Sequence, residues 1–189
     1  MRKAVFIDRD GTLIKDIPYN SNPELIRFED YAIEFLQQLK KKNFLLIVVS
    51  NQAGVAHGYF TEEGVYKMHE AIRRMLLPSY VQIDAFYYCP HSADGQIKAY
   101  AVDCDCRKPK PGMIYKAART FNIDLDRSWM IGDILNDIEA GNAAGCKTIL
   151  INNGNETEWV LKQGRIPEYE VNNLREAAEI ILKYELESV

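Results

Sequence analysis

Cysteine is scarce, long apolar runs are missing and neither charge dominates, and each shortage removes a class of protein. Four cysteines in 189 residues are too few for a disulfide scaffold. The longest strongly apolar run, Phe44 to Val49, falls far short of the roughly 20 residues that cross a bilayer, so no membrane partner is expected. Lys and Arg number 23 against 27 Asp and Glu, a net charge of -4, which gives no polycationic surface for nucleic acid or anionic lipid. The phosphate-cradling patterns GxxxxGK[ST] and GxGxxG are both absent, which excludes a P-loop NTPase or a dinucleotide enzyme of the usual kind. There is no repeat, low-complexity tract or linker-like run, so residues 1–189 read as a single domain. Met1-Arg2-Lys3 leads directly into an apolar strand-like run with no h-region, and a cytoplasmic location is expected.

What is present is the composition of an ordinary globular protein, 47% hydrophobic and 26% charged. Short apolar runs at Ala4–Ile7, Phe44–Val49, Ala85–Tyr88, Trp129–Ile131 and Thr148–Ile151 read as buried strands. Helical stripes lie between them: Ile33, Phe35, Leu36 and Leu39; then Val65, Met68, Ile72, Met75 and Leu76 behind Thr61 as an N-cap. Pro111 reads as a first helical residue, Gly145 as the stop after Asn136–Ala144, and Leu174 to Leu186 as an amphipathic helix carrying Ala177, Ile181 and Leu182. Strands separated by helices need crossovers, so the fold class is α/β: a doubly wound, mostly parallel, Rossmann-like sheet covered on both faces. Ligands of such sheets sit beyond the carboxyl ends of the strands, which directs attention to the residues just after each apolar run.

Those residues form a chemical set. Asp8 and Asp10 stand on the turn leaving the first strand, and Asp133 follows another; buried carboxylates there require a cation, and oxygen-only ligands suit Mg²⁺. Asp8 is the expected nucleophile toward phosphorus, and Asp10 the acid that protonates the leaving oxygen and later activates water. Ser50, Asn51 and Lys108 are the expected donors to the phosphoryl oxygens. Asp137 is left open, between a helix N-terminal acid and a residue that orients Asp133.

A second set is Cys89-Pro90-His91 with Cys104-Asp105-Cys106, a CxH…CxC pattern across a twelve-residue spacer. Three thiolates and one imidazole make a closed tetrahedral site for structural Zn²⁺, which would pin the loop 92–103 directly before Arg107 and Lys108. Cys146, far away in sequence, reads as a buried free thiol.

In order along the chain, Asp8-Arg9-Asp10-Gly11-Thr12, Ser50-Asn51, Lys108 and Gly132-Asp133 through Asp137 resemble the four motifs of the haloacid dehalogenase-like phosphatases. The resemblance implies an aspartyl-phosphate intermediate, a Mg²⁺ held by Asp8, Asp133 and the backbone carbonyl of Asp10, and Lys108 on the transferred group. Ser50-Asn51-Gln52, Gly58-Tyr59-Phe60-Thr61-Glu62-Glu63, Tyr87-Tyr88-Cys89-Pro90-His91, Cys104 through Pro109 and Pro111-Gly112-Met113 extend it to the zinc-containing heptose bisphosphate phosphatases. That similarity implies loss of the 7-phosphate from D-glycero-D-manno-heptose 1,7-bisphosphate, with Arg107 on the substrate beyond the transferred group. No large cap domain is expected, so selectivity falls to the segment from Asp16 to Pro23, including Tyr19, to Gln52 and to the zinc loop. A small sugar phosphate is the expected partner of a monomer. The alternatives are a histidinol-phosphate or another small sugar-phosphate phosphatase and, from another class, a phospho-accepting receiver domain.

Overall fold

The computed structural model describes residues 1–187 and contains one six-stranded sheet with every pairing parallel. Its strands are β1 (Ala4–Ile7), β2 (Leu45–Asn51), β3 (Ala85–Cys89), β4 (Trp129–Gly132), β5 (Lys147–Ile151) and β6 (Tyr169–Val171), in the spatial order β3-β2-β1-β4-β5-β6. The helices are α1 (Ala32–Lys41), α2 (Gly54–His57), α3 (Glu62–Leu76), α4 (Gly112–Phe121), α5 (Leu135–Ala144) and α6 (Leu174–Glu187).

Strand β1 can lie at the centre because all four of its residues are apolar and neither face needs water. Ile7 pairs with Val48 of β2 on one side and Ile131 of β4 on the other. Alternate residues then feed two cores. Val5, Ile7, Val48 and Ile131 pack with α1, α3 and α6, whereas Phe6, Ile47 and Met130 pack with α4 and α5. Burying each Leu- or Phe-sized side chain contributes roughly 1.5–3 kcal/mol, so these two cores hold the strand ends in place.

The chain winds outward from β1 to β3, returns, and winds outward the other way from β4. The order therefore reverses between β1 and β4, and a crevice opens beyond their carboxyl ends. Loops 8–31, 90–111 and 152–168 surround that crevice, and no cap domain stands over it among the described residues.

The five expected strands are present, with ends shifted by one or two residues. Thr61 caps α3 by accepting from the Gly64 N–H at 3.4 Å, and Gly145 ends α5 with φ +84°. Pro111 is corrected: it is the residue before α4, because the Gly112 N–H is drawn back to the Asp105 carbonyl at 2.9 Å and the first turn begins there. Met75 and Leu182 lie at the margins of their stripes rather than in the core. Strand β6 was not expected; three residues, one of them acidic and exposed, leave no run to read.

Candidate active site

Because β1 and β4 are neighbours, the residues that follow them converge. Lys108 fixes the arrangement, being buried with each of its three ammonium protons committed: to Asp8 Oδ1 at 2.5 Å, Asp137 Oδ1 at 2.6 Å and the Val49 carbonyl at 2.9 Å. Burial alone would lower its pKa, but Asp137 and Asp8 carry it above the ordinary lysine value. Asp137, fully buried, also accepts from the Ile134 N–H at 3.3 Å through its other oxygen. Both its oxygens are thus engaged: the bond from Ile134 makes Asp137 the N-terminal acid of α5, one of the two expected readings, and the bond from Lys108 makes it the second anion of the lysine clamp. Gly132 makes this possible, since a Cβ there would come within 2.1 Å of the Asp137 carboxylate.

Carboxylates of Asp8, Asp133 and Asp137 each present an oxygen within 4.8 Å of the others. Burial raises Asp8 well above the usual carboxylate range; Lys108 opposes this, and Asp137, Asp133 and Asp10 add to it. Burial, with Asp137 nearby, pushes Asp133 up to about 6. One lysine does not balance this group of acids, and oxygen donors that lack a counter-charge fit a small divalent cation.

Asp133 is aimed from two segments, the turn after β1 and the loop between β5 and β6. Thr12 Oγ1 donates to its Oδ1 at 3.0 Å and Asn155 Nδ2 to its Oδ2 at 2.7 Å, while Asn153 Nδ2 holds the Gly11 carbonyl at 2.7 Å. Gly11, at φ +83°, cannot be replaced without collision, because a Cβ would lie 2.2 Å from Asp133 Oδ2. Asn153 and Asn155 are groups beside the candidate site that sequence reasoning missed. Two amides in the β5–β6 loop carry no periodicity, and only their place just after β5 could have pointed to them.

Ser50 lies at the end of β2, fully buried, and accepts from Gln52 Nε2 at 2.7 Å. The same amide donates to Asp10 Oδ2 at 2.9 Å, so Gln52 ties the β2 end to Asp10. Arg9, buried beneath, grips Asp10 with Nε at 3.0 Å and Nη2 at 2.8 Å. Asn51 lines the adjoining cavity, and its amide also braces the backbone of Lys108, donating one N–H to the carbonyl at 2.9 Å and accepting from the N–H at 3.0 Å, which leaves its second N–H available. Beside these groups opens a cavity of about 190 Å³, lined among others by Asp10, Asp16, Tyr19, Gln52 and Arg107. The sequence-derived candidates therefore divide between the carboxylate floor and this cavity. A wider cleft of about 420 Å³, lined by Arg2, Lys3, Phe44 and Arg127, precedes the strands and so lies at the opposite end of the sheet from the carboxylates.

The cysteine and histidine residues meet beyond β3. Sulfur separations are 3.4 Å for Cys89–Cys104, 3.2 Å for Cys104–Cys106 and 3.0 Å for Cys106–Cys89, and His91 Nδ1 is 3.7 Å from Cys89 and 3.4 Å from Cys106. These are far beyond a disulfide bond of about 2.05 Å and somewhat inside the roughly 3.8 Å edge of a zinc tetrahedron. Hydrogen bonding with Cys89, and with Cys104 and His91, lowers Cys106 to about 5 against the opposing effect of burial. A thiolate-bearing, four-cornered set suits a soft divalent ion. The loop 92–103 has further anchors: Gln96 and Ile97 N–H groups both donate to the Ala56 carbonyl at 2.8 Å, and Tyr100 OH donates to Glu62 at 3.0 Å. Arg107 Nη1 holds the His91 carbonyl at 3.1 Å, which joins this cluster to the cavity. Cys146 is buried, free and apart from it, as expected.

A family model described as "HAD-hyrolase-like" matches residues 105–177. The D-glycero-beta-D-manno-heptose-1,7-bisphosphate 7-phosphatase of Pasteurella multocida is 45% identical over 155 residues, covering 82% of this chain and 84% of that protein. The phosphatase of the same name from Escherichia coli K12 is 39% identical over 167 residues, covering 84% and 87%. Among solved structures, a D,D-heptose 1,7-bisphosphate phosphatase from B. bronchiseptica, complexed with magnesium and phosphate, superposes with TM-score 0.81 at 29% identity, covering 96% of this chain and 99% of that one.

Proposed function

The chain belongs to the haloacid dehalogenase-like family of heptose bisphosphate phosphatases, and from that premise we propose that it hydrolyses the 7-phosphate of D-glycero-β-D-manno-heptose 1,7-bisphosphate. The single observation that carries the reading is the clamp of Lys108 on Asp8 and Asp137 beside Asp133, two residues along the chain from Asp10, which lines a cavity together with Arg107.

Asp8 Oδ attacks phosphorus, the bond from phosphorus to the sugar oxygen breaks, and Asp10 gives its proton to that oxygen. The aspartyl phosphate is then hydrolysed as Asp10 takes a proton from water and the oxygen so freed attacks phosphorus, releasing Asp8 and inorganic phosphate. Arg9 and Gln52 hold Asp10 from two sides, and Lys108 supplies positive charge where charge develops. Mg²⁺ bound by Asp8, Asp133 and the Asp10 carbonyl would supply neutralisation of the repulsion between carboxylate and phosphate. Zn²⁺ is the ion proposed for Cys89, His91, Cys104 and Cys106, with a structural role. Asp16 and Tyr19 line the outer cavity and Arg107 carries the planar fork suited to a second phosphate. The protein is proposed to act as a monomeric single domain in the cytoplasm; no helix among the described residues is long and apolar enough to cross a membrane.

The test is Mg²⁺-dependent phosphate release from both anomers of the heptose bisphosphate, histidinol phosphate and an aryl phosphate, compared by kcat/KM. A large preference for the β-anomer is the expected result. Preference for histidinol phosphate would overturn the substrate while leaving the aspartyl chemistry in place.

A further inference from the structure

Three linked aromatic rings, one of which lines the cavity, have no part in the chemistry above. Tyr19 lines the cavity from the flap, and its ring meets that of Tyr59 edge-on at 4.7 Å and 77°. Tyr59 in turn stacks on His57 at 5.6 Å and 27°. Both tyrosines are more than half exposed, at 55% and 59%, so the cluster spends apolar surface on solvent instead of on the core. Tyr19 also sits at φ +54°, a left-handed conformation that a bulky residue adopts at a cost, and the adjacent Asn20 N–H to Ile17 carbonyl turn at 3.0 Å keeps it there. Tyr59 and His57 are carried on different backbone: His57 ends the short helix α2 and Tyr59 follows its cap Gly58, with the Tyr59 N–H bonded back to the Gly54 carbonyl at 2.9 Å, and the Ala56 carbonyl of that helix receives the loop 92–103.

We propose that Tyr19, backed by Tyr59 and His57, forms a ledge against which the C–H face of a sugar ring stacks while its phosphate lies over Asp8. The inference rests on the sugar-phosphate reading and adds the groups that recognise the ring itself. The cavity offers mostly polar groups: Asp10 and Asp16 as acceptors for hydroxyls, and Asn20, Gln52 and Arg107 as donors to hydroxyls and phosphate. An aldose ring also has an apolar face of axial C–H bonds, and burying that face requires a flat hydrophobic partner. Tyr19 is the exposed aromatic that lines this cavity. Its contact with Tyr59 limits the ring's freedom before the ligand arrives, which lowers the ordering cost of binding.

The experiment compares wild type with Tyr19→Ala, Tyr59→Ala and Tyr19→Phe in the full-length, metal-replete protein, with melting temperature as the check on folding. The readout is the ratio of kcat/KM for the β-heptose bisphosphate to kcat/KM for glycerol 3-phosphate, which has no ring. In each alanine variant that ratio falls on the order of three- to tenfold, through KM, while Tyr19→Phe keeps it within about twofold. An unchanged ratio in the alanine variants, or an equal fall in Tyr19→Phe, overturns the ledge. Should wild type prefer a different ring sugar phosphate, the heptose assignment fails alone, and the same ratio is taken with that sugar. If no ring sugar phosphate is preferred over glycerol 3-phosphate, the ledge is overturned as well.

Discussion

The carboxylate cluster beyond β1 and β4 and the Cys/His cluster beyond β3 gather ionisable groups at the same carboxyl end of one sheet, yet they are held by different means. Asp8 and Asp133 follow central strands whose flanks are fully buried, and hydrogen bonds from Lys108, Thr12 and Asn155 fix their oxygens. The Cys/His cluster follows an edge strand whose residues before Cys89 are only half-buried, and the loop between its halves leaves Ile97 and Val102 at 42% and 41% exposure. Backbone bonds to Ala56 and the Tyr100–Glu62 contact dock that loop, but no apolar stripe does. The carboxylates thus take their precision from the core, whereas the Cys/His groups on the edge strand lack that support, reach the cavity through Arg107, and would gain from the proposed zinc the cross-link that the core does not give them.

Substituting Asp8→Asn should break the first region with the largest effect. Steady-state turnover is expected to fall by at least about 10³-fold, as for loss of a covalent nucleophile, with zinc content and melting temperature kept near wild type. Retained turnover would remove Asp8 from that role. Breaking the second region by Cys104→Ser, or by chelation selective for zinc, should expose the loop 92–103 to limited proteolysis. It should also raise KM for the bisphosphate more than it lowers kcat; a protein that keeps both KM and protease resistance would contradict the cross-link.

Arg107→Ala tests the bridge between the regions. Loss of a charge-assisted contact is expected to cost about 10- to 100-fold in kcat/KM on a bisphosphate, and much less on a monophosphate of the same sugar. Equal losses would argue against a second phosphate at Arg107. The smallest effect lies on the inner side of β3. His69 is buried, stacks on Phe86 at 4.4 Å, and is pushed down to about 3 by burial, with Arg9 and Arg73 adding to the shift; Tyr88 meets it edge-on. The folded state binds fewer protons here than the unfolded state, so this stability is complete above the ordinary value of 6.5 and is lost as pH falls toward about 3. The loss is on the order of 2 kcal/mol by pH 5. His69→Phe should therefore melt several degrees higher relative to wild type at pH 5 than at pH 8, as read by thermal scans; equal differences at both values would contradict the buried neutral histidine.

Much of this was legible in the sequence because two patterns coincide. Apolar runs marked five strands, and acids placed directly after them marked the crevice, so Asp8, Asp10, Asp133 and Lys108 could be read from position and type. The CxH…CxC spacing was equally direct, since ligand pairs two residues apart must lie close in space. Partnership was not legible. Asn51 has the type and place of a phosphate donor, yet it also braces the backbone of Lys108, and Gln52 is divided between Ser50 and Asp10. Asn153 and Asn155 act across 142 and 22 residues of chain, on Gly11 and Asp133, a separation that no local pattern encodes. Strand β6 escaped notice because an edge strand of three residues needs neither face fully apolar.

The most direct measurement is ³¹P NMR of D-glycero-β-D-manno-heptose 1,7-bisphosphate during turnover with Mg²⁺. The account predicts that the C7 resonance converts to inorganic phosphate while the C1 resonance persists through at least the first complete equivalent. Loss of the C1 phosphate first, or of both together, would contradict it.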